Sequence, residues 1–166
     1  MFDCIYAPWR SEYITGPKIK GCVFCHIAKH PDQDEELGVL WRAKYCYAVM
    51  NRYPYTPGHF MVIPYIHIDN LEGLDPAIWQ EMTTLTQRGV GLLKDVLRAE
   101  GVNIGMNLGA AAGAGIAEHI HMHLVPRWQR DTNFITTIGH TRVYGVDFDA
   151  IYRKLRAKAK EYFDGV

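Results

Sequence analysis

The chain carries no net charge: its 166 residues include 18 basic and 18 acidic side chains. That balance removes long-range attraction to a polyanion, so neither nucleic acid nor a membrane surface is an expected partner. A local basic pocket around one phosphorylated ligand stays open. No apolar run approaches the length of a membrane span, and Met1-Phe2-Asp3-Cys4-Ile5 lacks the basic and apolar stretches of a secretory leader. A cytoplasmic location is expected. Cysteine is scarce, at four, and in that compartment Cys4, Cys22, Cys25 and Cys46 read as thiols or metal ligands rather than disulfides. Internal repeats, low-complexity tracts and long linkers are also missing. What remains fits one domain over residues 1–166, long enough to bury about 70% of its unfolded surface.

Within it, residues 1–20 read as an aromatic arm (Tyr6-Ala7-Pro8-Trp9-Arg10-Ser11-Glu12-Tyr13), and 135–166 as a C-terminal extension ending in a helix over Asp149–Phe163. The polar stretch Pro31–Glu36 reads as a solvated loop. Strand-like runs follow at Val39-Leu40-Trp41, Cys46–Asn51 and His59–Pro64, with turn chemistry at Tyr53–Gly58. Asp75 and Pro76 supply the N-cap and first position of a helix whose Ile78, Met82, Leu85, Leu92, Leu93, Val96 and Leu97 share one face. Val102–Leu108 reads as a further strand, before the small-residue loop Gly109–Gly115. Hairpin-length connections and one long helix between strand pairs predict an α+β fold with a mainly antiparallel sheet. A parallel sheet would need more crossover helices.

The chemistry concentrates in His119-Ile120-His121-Met122-His123-Leu124-Val125, which ends at Pro126. In an extended strand the three imidazoles share one face, roughly 6.5–7 Å apart, and Ile120, Met122 and Leu124 share the other. Neutral imidazole is a competent nucleophile toward phosphorus, and three on one face allow attack by His121 with flanking rings to place a phosphate or move protons. Imidazole also binds zinc, so a metal clamp competes with the nucleophile. In Gly109–Gly115, Gly113 and Gly115 would let backbone N–H groups approach an anion; a plain flexible turn explains the loop equally well.

Cys22-Val23-Phe24-Cys25 is a CxxC knuckle, and a tetrahedral zinc needs two more ligands. With no second CxxC, histidines must complete it, and His67 and His119 are the candidates. A redox pair would call for a surrounding βαβ pattern, which is missing; Cys22–His26 also spells the haem-attachment motif, found in exported proteins. Two functionless buried thiols are the remaining reading. His26, His30 and His140 read as surface residues near loops.

Taken together, the alternating run resembles the His-φ-His-φ-His-φ-φ signature of the histidine triad (HIT) superfamily of nucleotide hydrolases and transferases. Asn51-Arg52-Tyr53-Pro54-Tyr55-Thr56-Pro57-Gly58-His59-Phe60-Met61-Val62-Ile63-Pro64 is similar to its upstream block, and Cys22–Cys25 to the knuckle of its zinc-bearing members. The likeness spans about residues 20 to 130. It implies a five-stranded antiparallel sheet with two main helices, and a homodimer in which two sheets join. It implies that His121 attacks the α-phosphorus of a nucleotide, with His123 on a phosphoryl oxygen or leaving group and His59 near the α-phosphate. Asn51 matches the ribose-contacting position and Asn107 would face the phosphates. His119 would join Cys22, Cys25 and His67 on a structural zinc, outside direct catalysis. Many members place a glutamine or hydroxyl residue where this chain has Gly115. The flanks Ala7–Ile14 and Pro126–Phe134 resemble the prokaryotic branch acting on diadenosine polyphosphates, as hydrolases or phosphorylases. Trp9, Trp128 and Arg127 read equally well as packing and surface charge or as a wall for the second nucleotide, with Arg127 or Arg130 neutralising phosphate. A non-catalytic nucleotide-binding module and a zinc-dependent hydrolase are the alternatives.

Overall fold

The computed structural model describes residues 21–132, 134–139 and 145–166. The aromatic arm with Trp9, and His140, lie outside them. Five strands form one sheet: β1 (Val39–Arg42), β2 (Cys46–Met50), β3 (Phe60–Pro64), β4 (Gly101–Gly105) and β5 (Met122–Arg127). Their order is β1-β2-β3-β5-β4, with every neighbouring pair antiparallel. The helices are α1 (Val23–Lys29), α2 (Asp34–Leu37), α3 (Pro76–Leu97), α4 (Phe134–Ile138) and α5 (Phe148–Phe163). The fold is the α+β, five-stranded antiparallel one expected. No described helix is long and apolar enough to cross a membrane.

Alternation along the strands explains why β2 and β3 are buried throughout. Cys46, Ala48, Met50, Phe60 and Val62 face one side with Met122 and Leu124, where Met82, Leu85, Leu92 and Leu93 of α3 and Leu155 and Phe163 of α5 cover them. Tyr47, Val49, Met61 and Ile63 face the other side and pack on Phe24 and Ile27 of α1. Each buried leucine contributes about 1.5–3 kcal/mol relative to exposure. The caps of the long helices are local: Asp75 accepts from the Ala77 N–H at 2.7 Å, and Asp147 from that of Ala150 at 2.7 Å. Gly89 lets α3 lie close on the sheet, since a Cβ there would meet Phe60 Cζ at 2.7 Å and Leu124 Cδ2 at 2.9 Å.

Three expectations need correction. Pro31–Glu36 is not a loop: Pro31–Gln33 form a 3-10 turn and α2 follows, closed by Gly38 at φ 74°. Its Asp34 takes Arg42 Nε at 2.9 Å and Nη2 at 2.7 Å, so this acidic segment is tied to β1 rather than merely solvated. The strand expected over Val102–Leu108 covers only Gly101–Gly105, because its pairing ends at Gly105 opposite His123. Pro126 does not end the histidine strand, which begins at Met122 and runs through Arg127. Proline is tolerated there; its carbonyl accepts the Thr56 hydroxyl at 2.9 Å.

Candidate active site and metal centre

The histidine run presents its two faces as alternation requires. Ile120, Met122 and Leu124 enter the helix-covered core. His119, His121 and His123 turn the opposite way, and all three are buried. The rings come closer than backbone rise alone predicts: the His121 and His123 centroids are 4.8 Å apart, at 78°. The backbone sets only the Cβ spacing, and these rings converge beyond it. His59, at the start of β3, is fully buried against them, its centroid 5.0 Å from that of His123.

Hydrogen-bond partners assign the tautomers, because a carbonyl oxygen only accepts and a backbone N–H only donates. His121 Nδ1 lies 2.8 Å from the His119 carbonyl, so Nδ1 carries the proton and Nε2 keeps a free lone pair. His59 Nδ1 accepts from the Tyr55 N–H at 3.1 Å. Its Nε2 therefore donates to His123 Nδ1 at 2.9 Å, which leaves the His123 proton on Nε2. Burial pushes His59 down to about 3, with the charges of His123 and His121 adding to it. Burial, then His121, takes His123 to about 4. Burial lowers His121 against the opposing bond to His119. At neutral pH the cluster is uncharged, with one lone pair and one N–H positioned on adjacent rings.

His119 faces away from this pair. Its Nε2 donates to the Pro64 carbonyl at 3.0 Å, freeing Nδ1, which lies 3.3 Å from Cys22 Sγ and 3.7 Å from Cys25 Sγ. His67 Nδ1 approaches Cys25 Sγ at 3.3 Å. The four ligand atoms of Cys22, Cys25, His67 and His119 lie within 4.8 Å of one another. Tetrahedral zinc, with Zn–S near 2.3 Å and Zn–N near 2.0 Å, sets its sulfur and nitrogen ligands about 3.5 Å apart. Two thiols and two imidazoles at this spacing fit zinc, and a closed four-ligand set leaves it no open position for chemistry.

An open cleft of about 570 Å³ adjoins His123, lined also by Tyr55, Ile104, Met106, Asn107 and Arg127. Asn107 thus reaches the site from just beyond β4. Arg127 is bound by Asp131, at 2.5 Å and 2.7 Å, and by Asn103 at 2.9 Å. Asn51 lies beside His59, its Nδ2 3.3 Å from Nδ1, while its Oδ1 accepts the Tyr53 N–H at 2.9 Å. Gly113 has φ 89°, and a Cβ at either Gly113 or Gly115 would meet nothing within 4 Å. Trp128 Nε1 donates to the Leu97 carbonyl at 3.2 Å, so its polar edge is tied to α3. His26 lies in the last turn of α1 and His30 just beyond it, both half-buried with ring centroids 4.1 Å apart rather than on the open surface.

The HIT domain model matches residues 34–130, more than half of the chain. The chain belongs to the HIT family. It is 49% identical over 148 residues to a Mycobacterium tuberculosis protein named AP-4-A phosphorylase, covering 84% of this chain and 75% of that one. It is 32% identical over 93 residues to the asymmetrical bis(5'-nucleosyl)-tetraphosphatase of Schizosaccharomyces pombe, covering 56% of this chain and 50% of that one. Among solved structures, a zinc-bound histidine triad family protein from Mycobacterium smegmatis superposes with a TM-score of 0.69 at 30% identity, covering 85% and 94% of the two chains.

Two features of this HIT site went unread in the sequence. Tyr55 lies over the His59 ring at 4.6 Å as well as fixing its tautomer; its place in a proline-rich turn hid it. Phe24 touches the rings of both His119 and His121, at 5.5 Å and 5.0 Å. Its position between the two cysteines was the available signal.

Proposed function

We propose that this protein transfers the nucleotidyl group of diadenosine polyphosphates, such as diadenosine tetraphosphate, to inorganic phosphate. The observation that carries the reading is the His121 ring, whose Nδ1 is bound to the His119 carbonyl so that Nε2 is free beside a proton-bearing His123. In this reading Nε2 attacks the α-phosphorus, the bond to the bridging oxygen breaks, and the polyphosphate leaves with the electron pair. The new imidazolium keeps its Nδ1 proton on the His119 carbonyl. His123 Nε2–H stabilises the phosphoryl or bridging oxygen, and His59 holds His123 in that tautomer. Phosphate then attacks the same phosphorus and releases His121. Asn51 and Asn107 would contact ribose and phosphates, and Gly113 and Gly115 would offer backbone N–H groups. Arg127, already shared with Asp131, would contribute a partly neutralised edge.

Phosphate is preferred over water because the relative at 49% identity is named a phosphorylase. Cys22, Cys25, His67 and His119 would hold a structural zinc, which supplies cross-linking of α1 to the sheet. We place the protein in the cytoplasm, where a dithiol knuckle stays reduced. We also propose a homodimer joined along β4, an edge strand that leaves Ile104 half exposed.

Product analysis with diadenosine tetraphosphate tests the reading. ADP plus ATP formed only with phosphate supports it, whereas AMP plus ATP in plain buffer makes water the acceptor. Nucleotide binding without either product reduces the protein to a binding module. His121→Ala should abolish turnover with binding kept within a few-fold; substantial residual turnover refutes the nucleophile.

A further inference from the structure

We propose that Phe24 is a positioning residue for this reaction: its ring wedges the His121 imidazole and so holds Nε2 beside His123, which lines the cleft. The inference rests on the nucleotidyl-transfer reading above. Among the described residues His121 has one hydrogen bond, at Nδ1, and a turn about Cβ–Cγ would break that single bond and re-aim Nε2. Two neighbours oppose that turn. His123 meets the ring edge-on at 4.8 Å and 78°, and Phe24 meets it tilted at 5.0 Å and 55°. Both are within the separations at which aromatic pairs attract through complementary faces and edges.

Phe24 is itself held from three directions. It is buried, 3% exposed, within the apolar cluster formed with Tyr47, Val49, Met61 and Ile63. It lies between Cys22 and Cys25, so closure of the knuckle sets the start of α1. Its carbonyl accepts the hydroxyl of fully buried Tyr47 at 2.8 Å, which gives that phenol a partner and pins the backbone behind the ring. The same ring stands edge-on to His119 at 5.5 Å and 86°. His121 is therefore fixed twice by the knuckle region, once through the carbonyl of His119 and once through the face of Phe24. An aliphatic side chain would fill the volume without offering a flat face to the imidazole.

The test uses the zinc-loaded protein with Phe24→Leu and Phe24→Met, which keep apolar bulk but remove the ring. Ile27→Ala is the control, since Ile27 lies on the same helix and in the same cluster. We expect kcat to fall about tenfold or more in both Phe24 variants, with KM within about twofold of wild type and zinc retained. The ¹⁵N spectrum of His121 should move from a single tautomer toward averaged values, and Ile27→Ala should keep the wild-type kcat and spectrum. Unchanged kcat and spectrum in the Phe24 variants overturn the proposal. So does loss of zinc from them, or an equal fall in Ile27→Ala. If the wild-type protein transfers no nucleotide, the reading of the reaction fails, and the ¹⁵N spectra alone decide whether Phe24 orients His121.

Discussion

Replacing His59 by glutamine should flatten the acid-side loss of stability. In the fold His59 is fully buried, bonded to Tyr55 and His123, and burial followed by the nearby imidazoles takes it from 6.5 to about 3. The unfolded chain takes up its proton near 6.5 while the folded one resists until about 3. Between those values the unfolded state binds more protons, so stability is fully present above the upper value and drains away as pH falls. Those two values correspond to about 3 kcal/mol lost between about pH 7 and about pH 4. That is a large part of the ~5–15 kcal/mol that a domain has in total. Glutamine can accept from Tyr55 and donate to His123 but does not titrate. Urea unfolding of both proteins at a series of pH values, with zinc present, isolates the effect, because acid release of the metal is common to the two. Wild type should lose about 3 kcal/mol more than His59→Gln over that range. Parallel curves would show that His59 does not resist protonation in the fold, and with it the neutral cluster would be refuted.

Chelation should lower the Tm by about 10 °C or more while protein that stays folded keeps turning over, since the four ligands close the metal's coordination. A fall in the activity of folded, metal-free protein well beyond that of the Phe24 variants would instead make the metal catalytic. Glu81 Oε1 accepts the N–H groups of Tyr45 at 2.6 Å and Cys46 at 2.8 Å. Glu81→Ala should cost about 2–3 kcal/mol in chemical denaturation and Glu81→Gln, which keeps an acceptor, less than about 1 kcal/mol; equal losses would discount the acceptor. Gly89→Ala should cost about 1–3 kcal/mol, since its Cβ would press on Phe60 and Leu124. An unchanged midpoint would mean that α3 shifts away freely.

The parts legible in the sequence were those governed by local periodicity or by ligand arithmetic. Alternation put His119, His121 and His123 on one face with no knowledge of the fold. Two cysteines without a second pair demanded two histidines, and His67 with His119 now stand beside them. The division of labour between the triad members was not legible from spacing. It depends on which ring nitrogen meets a carbonyl, and the Pro64 and His119 oxygens are placed by tertiary structure. The pairing of His59 with His123 likewise requires β3 to lie against β5, a register that only the folded sheet supplies. Glu81 left a trace: it interrupts the stripe of Ile78, Met82 and Leu85, and a carboxylate on an apolar face has to find buried donors. Pro31–Glu36 misled because acidic residues suit both a solvated loop and the first turn of a helix.

The metal centre also joins parts of the chain that lie far apart in sequence. Cys22 and His119 are 97 positions apart, Cys25 and His119 94, and Cys25 and His67 42. Closing such spans costs chain entropy, and β5, which follows His119, lies between β3 and β4 in the sheet. A zinc finger gathers its ligands from one short stretch, whereas this ligand set is complete only where distant strands have paired. The site thus acts as a latch across the finished fold rather than a clasp on a local loop.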